Sequence, residues 1–271
     1  MPLPALPSLA FDGHAISAAT AAFLGAPLRL LIDGHWVDAQ DGQTLATRDP
    51  ATDQFLAEVA LGGAADIDLA VSAARRAFDG PWSRLGHPGR AALLTRLARL
   101  VAEQAELFTE LEVLDNGMPR AIAALTVANV VEMFEYYAGA AWRIEGTTTT
   151  PPHHVSAQAE ALTYTLREPL GVAGLIVPWT VPLSTAVLKI APALGAGCSV
   201  VVKPSEETPL SILLLGRLAL DADIPHEFST SSTVWVVMPE RRWPSTRAST
   251  KFRSPAPQLP AAPWCMRLRA T

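Results

Sequence analysis

Lys203, Ser205 and Glu206 crowd into the segment KPSEET, directly after SVVV, an apolar run that closes on the lysine. An ammonium and a carboxylate a few residues apart offer one ligand both a donor and an acceptor. Phosphate oxygens take the first and ribose hydroxyls the second, which is the chemistry a nucleotide cofactor requires. A second string, Val177-Pro178-Trp179-Thr180, ends another apolar run, GVAGLIV, and adds an indole face and a hydroxyl. The same residues also suit a polar strand-to-helix loop that holds no ligand. The Gly-x-Gly-x-x-Gly phosphate loop is absent.

Both strings need one scaffold to bring them together. Residues 171–177 and 199–203 are short, apolar and valine-rich, the pattern of strands buried on both faces. Pro182 suits the first turn of a helix over 183–194, Gly195-Ala196-Gly197 turns the chain, and Pro204 ends the second strand before a helix over 209–220. Two such strands joined by a crossover helix form a right-handed parallel unit. Ligands bind beyond the carboxyl ends of its strands, where both polar strings fall.

Upstream, residues 30–37 alternate around Asp33-Gly34 and predict a hairpin, and a strand over 55–59 follows the turn Asp49-Pro50-Ala51-Thr52. Apolar residues at helical spacing predict helices from Asp66 to Phe78, over 88–114 and over 121–142. Asp115-Asn116-Gly117 stops the second of these. Residues 147–169, TTTTPPHH and a polar alternating stretch, read as an extended hairpin arm. Its adjacent His153 and His154 would point to opposite faces of a strand, so no metal pair is expected. Residues 1–28, apolar and alanine-rich, read as an irregular, loosely attached N-terminal extension.

Composition narrows the function classes. The net charge of −5 argues against a nucleic-acid or anionic-membrane partner. Two cysteines make no disulfide framework, which fits a reducing cytoplasm. No Arg or Lys precedes Arg29, so the start makes a poor signal peptide. Residues 169–188 carry no charge, but Pro178 and Pro182 interrupt the run, so no membrane span is expected.

The strings REPLGVAGLIVPWTVPL, KIAPALGAG and VVVKPSEETPLS together resemble the aldehyde dehydrogenase superfamily. The likeness runs back through LLIDGHWVDAQDG, DPATDQ, AVSAARRAF and LEVLDNG, and covers residues 28–225. It implies an α/β fold: a Rossmann-like parallel-sheet domain over 29–225 that binds NAD, or NADP, without the glycine fingerprint. It also implies an oligomerisation hairpin at 147–169, and hence a homo-oligomer. The family pattern sets Ile176, Val177, Pro178 and Trp179 against the cofactor, Lys203 and Glu206 at the adenosine ribose, and Ser205 in the same pocket. The carboxylate of Glu206 leans toward NAD, because it disfavours a 2′-phosphate. The implied reaction oxidises a small aldehyde to a carboxylic acid. A cysteine thiolate forms a thiohemiacetal, hydride leaves to the nicotinamide, and a glutamate base activates water.

The sequence departs from that pattern in three places. Thr180 stands where the family usually has the asparagine of its oxyanion hole, a donor whose loss costs about 3–4 kcal/mol of transition-state stabilisation. Neither cysteine sits in the family's nucleophile context: Cys198 begins a strand, and Cys265, in PWCMRL, comes too soon after Lys203. The general-base glutamate and the Phe-Thr-Gly-Ser loop are also missing. From Glu227 onward periodicity is lost, and residues 227–271 hold seven basic and two acidic residues. With GC-rich codons, a shifted frame over this stretch can encode VLNVVNGVG and, further on, SFTGS, the family's own continuation. The sequence therefore predicts an incomplete domain with a frameshifted, disordered tail over 226–271, poor solubility and no turnover. The alternatives are a non-catalytic nucleotide-binding fragment and an interaction protein that keeps the hairpin for assembly.

Overall fold

The computed structural model describes residues 10–11, 14–149, 162–222, 235–237, 249–250 and 265–268, with side chains described over 16–149 and 162–222. Strands β1 (Ala10–Phe11) and β2 (His14–Ala15) pair and lead into helix α1 (Ala18–Leu24). The Ser17 hydroxyl caps α1 by accepting the Thr20 N–H at 3.2 Å. Over residues 16–28 the expectation of an irregular, loose segment is corrected. Glu110 accepts hydrogen bonds from the Ser17 N–H, the Ser17 hydroxyl and the Thr20 hydroxyl, and Phe23 and Leu24 are buried. Polar anchoring and apolar burial together hold the helix to the body.

Strands β3 (Leu30–Ile32) and β4 (His35–Val37) form the expected hairpin. Its two-residue turn uses positive φ at Asp33 (52°) and Gly34 (79°), the backbone such hairpins need. Strands β5 (Thr44–Arg48) and β6 (Phe55–Ala60) pair antiparallel around the Asp49 turn. Helix α2 (Ala64–Ala77) follows, then a π-helical turn at Phe78–Trp82.

The single helix expected over 88–114 is two, α3 (Gly86–Glu103) and α4 (Ala105–Asn116). The break lies at Gln104 (φ −108°, ψ 21°). Residues 107–115 of α4 are all buried, so the chain turns there to enter the core instead of running on along the line of α3. Gly117, in the left-handed region at φ 75°, ends α4. Helix α5 (Arg120–Ala140) and a 3-10 turn (Ala141–Arg143) come next. Strands β7 (Thr148–Thr149) and β8 (Thr163–Tyr164) pair antiparallel at the base of the arm. His153 and His154 lie outside the described residues.

The strand–helix–strand–helix unit is β9 (Val172–Ile176), α6 (Pro182–Gly195), β10 (Ser199–Lys203) and α7 (Leu210–Asp221). β9 and β10 are parallel neighbours in register from Val172–Ser199 to Ile176–Lys203. Three short tail segments stand as strands: β11 (Trp235–Val237) parallel to β10, β13 (Cys265–Leu268) antiparallel to β9, and β12 (Ser249–Thr250) beside β13. The rest of the expected disordered tail lies outside the described residues. The sheet order is β12-β13-β9-β10-β11-β3-β4.

Alternation along the central strands feeds two cores. Ala173, Leu175, Val200 and Val202 pack with residues of α3 to α7, including Leu97, Phe108, Phe134 and Leu183. Val172 and Val201 face the other way, onto Ile67, Ala70 and Ala74 of α2. Burial on both faces is why these strands read as unbroken apolar runs. Among the described residues, no helix is long and apolar enough to cross a membrane.

Candidate functional site

The carboxyl ends of β9 and β10 lie side by side. Ile176 is paired with Lys203, and the Val177 N–H donates to the Lys203 carbonyl at 2.9 Å. This brings the turn Val177–Thr180 next to the loop Lys203–Glu207, so all eight expected site residues fall at the carboxyl ends of these two strands, seven of them with their side chains outside the larger core. The exception is the Val177 side chain. Val177 continues the 173–175–177 face of its strand and is buried in the larger core, so only its backbone stands at the site. Ile176 faces the opposite way and is 39 % exposed, and the Trp179 indole is 57 % exposed. Pro178 and Thr180 are exposed on the turn that opens α6. Lys189 of α6 donates to the Ile176 carbonyl and fastens the strand end to the helix.

Lys203 is buried along its stem, and its Nζ lies 3.4 Å from Glu206 Oε1 and 3.3 Å from the Pro204 carbonyl. Both contacts are at the long end of hydrogen-bond range. Ser205 is buried; its hydroxyl accepts the Glu207 N–H at 3.2 Å and its carbonyl accepts the Thr208 N–H at 3.3 Å. Those bonds close the loop into a tight turn that leaves Glu206 half-buried beside Lys203. A cavity of about 310 Å³ lies between this loop and the end of β5, walled by Glu206, Glu207, Thr47, Arg48, Asp49 and Asp53.

Sequence reasoning missed three residues that stand behind the two loops: Glu112, Asp115 and Asn116 on α4. Asp115 is buried, and accepts the Thr47 hydroxyl at 2.8 Å and the Leu210 N–H, at the start of α7, at 2.9 Å. Burial outweighs these bonds and pushes its carboxyl up to about 7. Asn116 donates through Nδ2 to the Trp179 carbonyl. Glu112 is fully buried, and burial pushes it up to about 7 as well. The Ser211 hydroxyl and the Leu183 N–H lie near enough to favour its charged form, but neither carboxyl oxygen completes a hydrogen bond among the described residues. The sequence showed only that the three share one face of α4, at spacings of three and four, on a helix that also carries Glu106, Thr109 and Glu110.

The amino ends of the strands are closed differently. Trp82 donates through Nε1 to the Gly197 carbonyl at 2.8 Å, and Arg90 donates to the Gly195 carbonyl at 3.2 Å. Gly197 has φ 93°, and a Cβ there would meet Pro169 at 2.8 Å, so glycine is required. Cys198 immediately precedes β10 at this end, opposite to the polar loops; it is buried, and burial pushes its thiol up. A protonated thiol at the far end of the strand is a packing residue, not a nucleophile for the loop site.

With this geometry in place, comparison with known proteins is informative. Residues 36–231 match the sequence profile described as the aldehyde dehydrogenase family. Aldehyde dehydrogenase 1 of Tanacetum cinerariifolium is 45 % identical over 199 residues, covering 73 % of this chain and 39 % of the relative. Mitochondrial benzaldehyde dehydrogenase of Antirrhinum majus is 43 % identical over 201 residues, covering 73 % of this chain and 36 % of the relative. Among solved structures, the NAD+ complex of an aldehyde dehydrogenase from Bacillus cereus superposes with a TM-score of 0.76 at 38 % identity, covering 83 % of this chain and 44 % of that one. The chain thus spans about two-fifths of the length of the curated relatives it matches.

Proposed function

The chain belongs to the aldehyde dehydrogenase family, and on that premise we propose that it is the cofactor-binding part of an NAD(P)-dependent aldehyde dehydrogenase, able to bind the dinucleotide but not to turn over aldehyde. The observation that carries this reading is the side-by-side ending of β9 and β10, Ile176 paired with Lys203, from which the turn Val177–Thr180 and the loop Lys203–Glu207 both depart. The donor set fits the cofactor. Glu206 offers a carboxylate to ribose hydroxyls and Lys203 an ammonium, and their long mutual contact at 3.4 Å leaves both able to take a ligand. Ile176, Pro178 and Trp179 supply an apolar side, and Ser205 shapes the loop. Glu206 disfavours a 2′-phosphate by charge, so NAD is preferred over NADP. NAD(P), when bound, supplies the hydride acceptor for oxidation of an aldehyde to an acid.

Thr180 takes the oxyanion position with a single hydroxyl donor. A cysteine and a glutamate in the family's nucleophile and base contexts are not in this sequence, which supports binding without turnover. The family match ends at residue 231, which supports a shifted reading frame for the tail. The test is titration of the full 271-residue chain with NADH and NADPH, followed by fluorescence, beside an assay for acid formation from a simple aldehyde with NAD. We expect NADH binding that K203A and E206A each weaken, and no acid. Absence of NADH binding, or acid formation lost in C265A, overturns the reading.

A further inference from the structure

We infer that the last turn of α4 registers the two cofactor-facing loops against one another, Asp115 holding the loop before α7 and Asn116 the turn before α6. The inference rests on the cofactor-binding reading above. Asp115 accepts the Leu210 N–H at 2.9 Å, four residues past Glu206. Asn116 donates to the carbonyl of Trp179, the residue before Thr180. One tethered group opens α7, directly after the loop that carries Glu206, and the other lies in the turn before α6, yet their tethers are consecutive residues on one helix. Helix geometry fixes the separation of consecutive residues, and burial of residues 107–115 fixes the helix. The spacing between the ribose end of the site and its oxyanion end is therefore set from behind.

Two further contacts place the same face of α4 against the same two elements. Glu112, one turn earlier, lies beside Leu183 in the first turn of α6 and Ser211 in the first turn of α7. Asp115 also holds Thr47 of β5 at 2.8 Å, which ties the tether to the wall of the cavity below Glu206. Capping of α7 accounts for Asp115 alone. It does not account for Asn116, whose amide reaches a loop carbonyl outside any helix. Neither residue is placed against the cofactor, so both are positioning residues.

The test replaces Asn116 in the full chain by Ala and, separately, by the near-isosteric Asp, which has no amide donor. Hydrogen exchange in the absence of cofactor is followed over 177–183 and over 107–114. Both variants should speed exchange at 177–183 several-fold and leave 107–114 unchanged. NADH affinity should fall about fivefold, the equivalent of one neutral hydrogen bond. Unchanged exchange at 177–183, or faster exchange throughout the chain, overturns the inference. If the parent chain binds no NADH, the cofactor reading fails, and the exchange result still decides the registration.

Discussion

At the scale of single residues, the site divides into groups that face outward and groups that stand behind. Trp179 is exposed and Glu206 half-buried at the carboxyl ends of β9 and β10, with the buried Lys203 against Glu206, while Glu112 and Asp115 are carboxylates enclosed by protein. The enclosed pair carries a pH signature. Burial raises the Glu112 pKa from an ordinary carboxylate value to about 7. A raised carboxylate binds its proton more tightly in the folded state than in the unfolded one. Its contribution to stability is complete below the unfolded pKa and is lost as pH rises through the folded one. E112Q removes this dependence by putting a neutral group in the same volume. Between pH ~4 and pH ~8 the stability of E112Q relative to the parent should rise by roughly 2 to 3 kcal/mol, read from urea unfolding at a series of pH values. Parallel pH profiles for the two proteins would show that Glu112 is not buried as an acid.

Among the elements, the arm and the crossover unit do different work. β9, α6, β10 and α7 are held by apolar alternation on two faces, with Ser199 of β10 donating to the Ala74 carbonyl of α2 at 2.8 Å. The arm has no such support in its described part. β7 and β8 pair at its base, and Leu162, Tyr164 and Leu166 are more than half exposed. Three neighbouring apolar side chains in water favour burial against another surface, and a second copy of the same hairpin edge is the simplest one. Y164E combined with L166E should lower the mass of the chain in sedimentation velocity toward that of the monomer, with NADH binding retained. An unchanged mass would remove the arm from the association.

The whole molecule joins a family-like body to a tail whose residues follow another pattern. The match stops at residue 231, and the described tail strands β11 and β13 lie on either side of the β9–β10 pair. A frameshift makes a decisive claim about the gene: a one-base shift near codon 226 opens a frame that encodes the VLNVVNG and SFTGS strings in order. Reading the nucleotides there settles it, and a frame without those strings ends the explanation. The local signals in the chain were legible because they are local. Prolines and glycines bracket β9 and β10, unbroken valine runs mark burial on both faces, and the polar strings KPSEE and PWT sit where such strands end. The hairpin at Asp33-Gly34 and the base of the arm could be read the same way. What the sequence did not disclose depends on packing between distant segments. The break at Gln104 follows from the core that α4 enters, and the tethering of α1 from Glu110. Thus the sequence alone placed the polar strings KPSEE and PWT at the ends of two buried strands. Only the tertiary structure decided that two buried carboxylates and an amide on one turn of α4 stand behind them, because proximity across 63 and 95 residues is created by folding, and helical spacing shows that three residues share a face but not what that face meets.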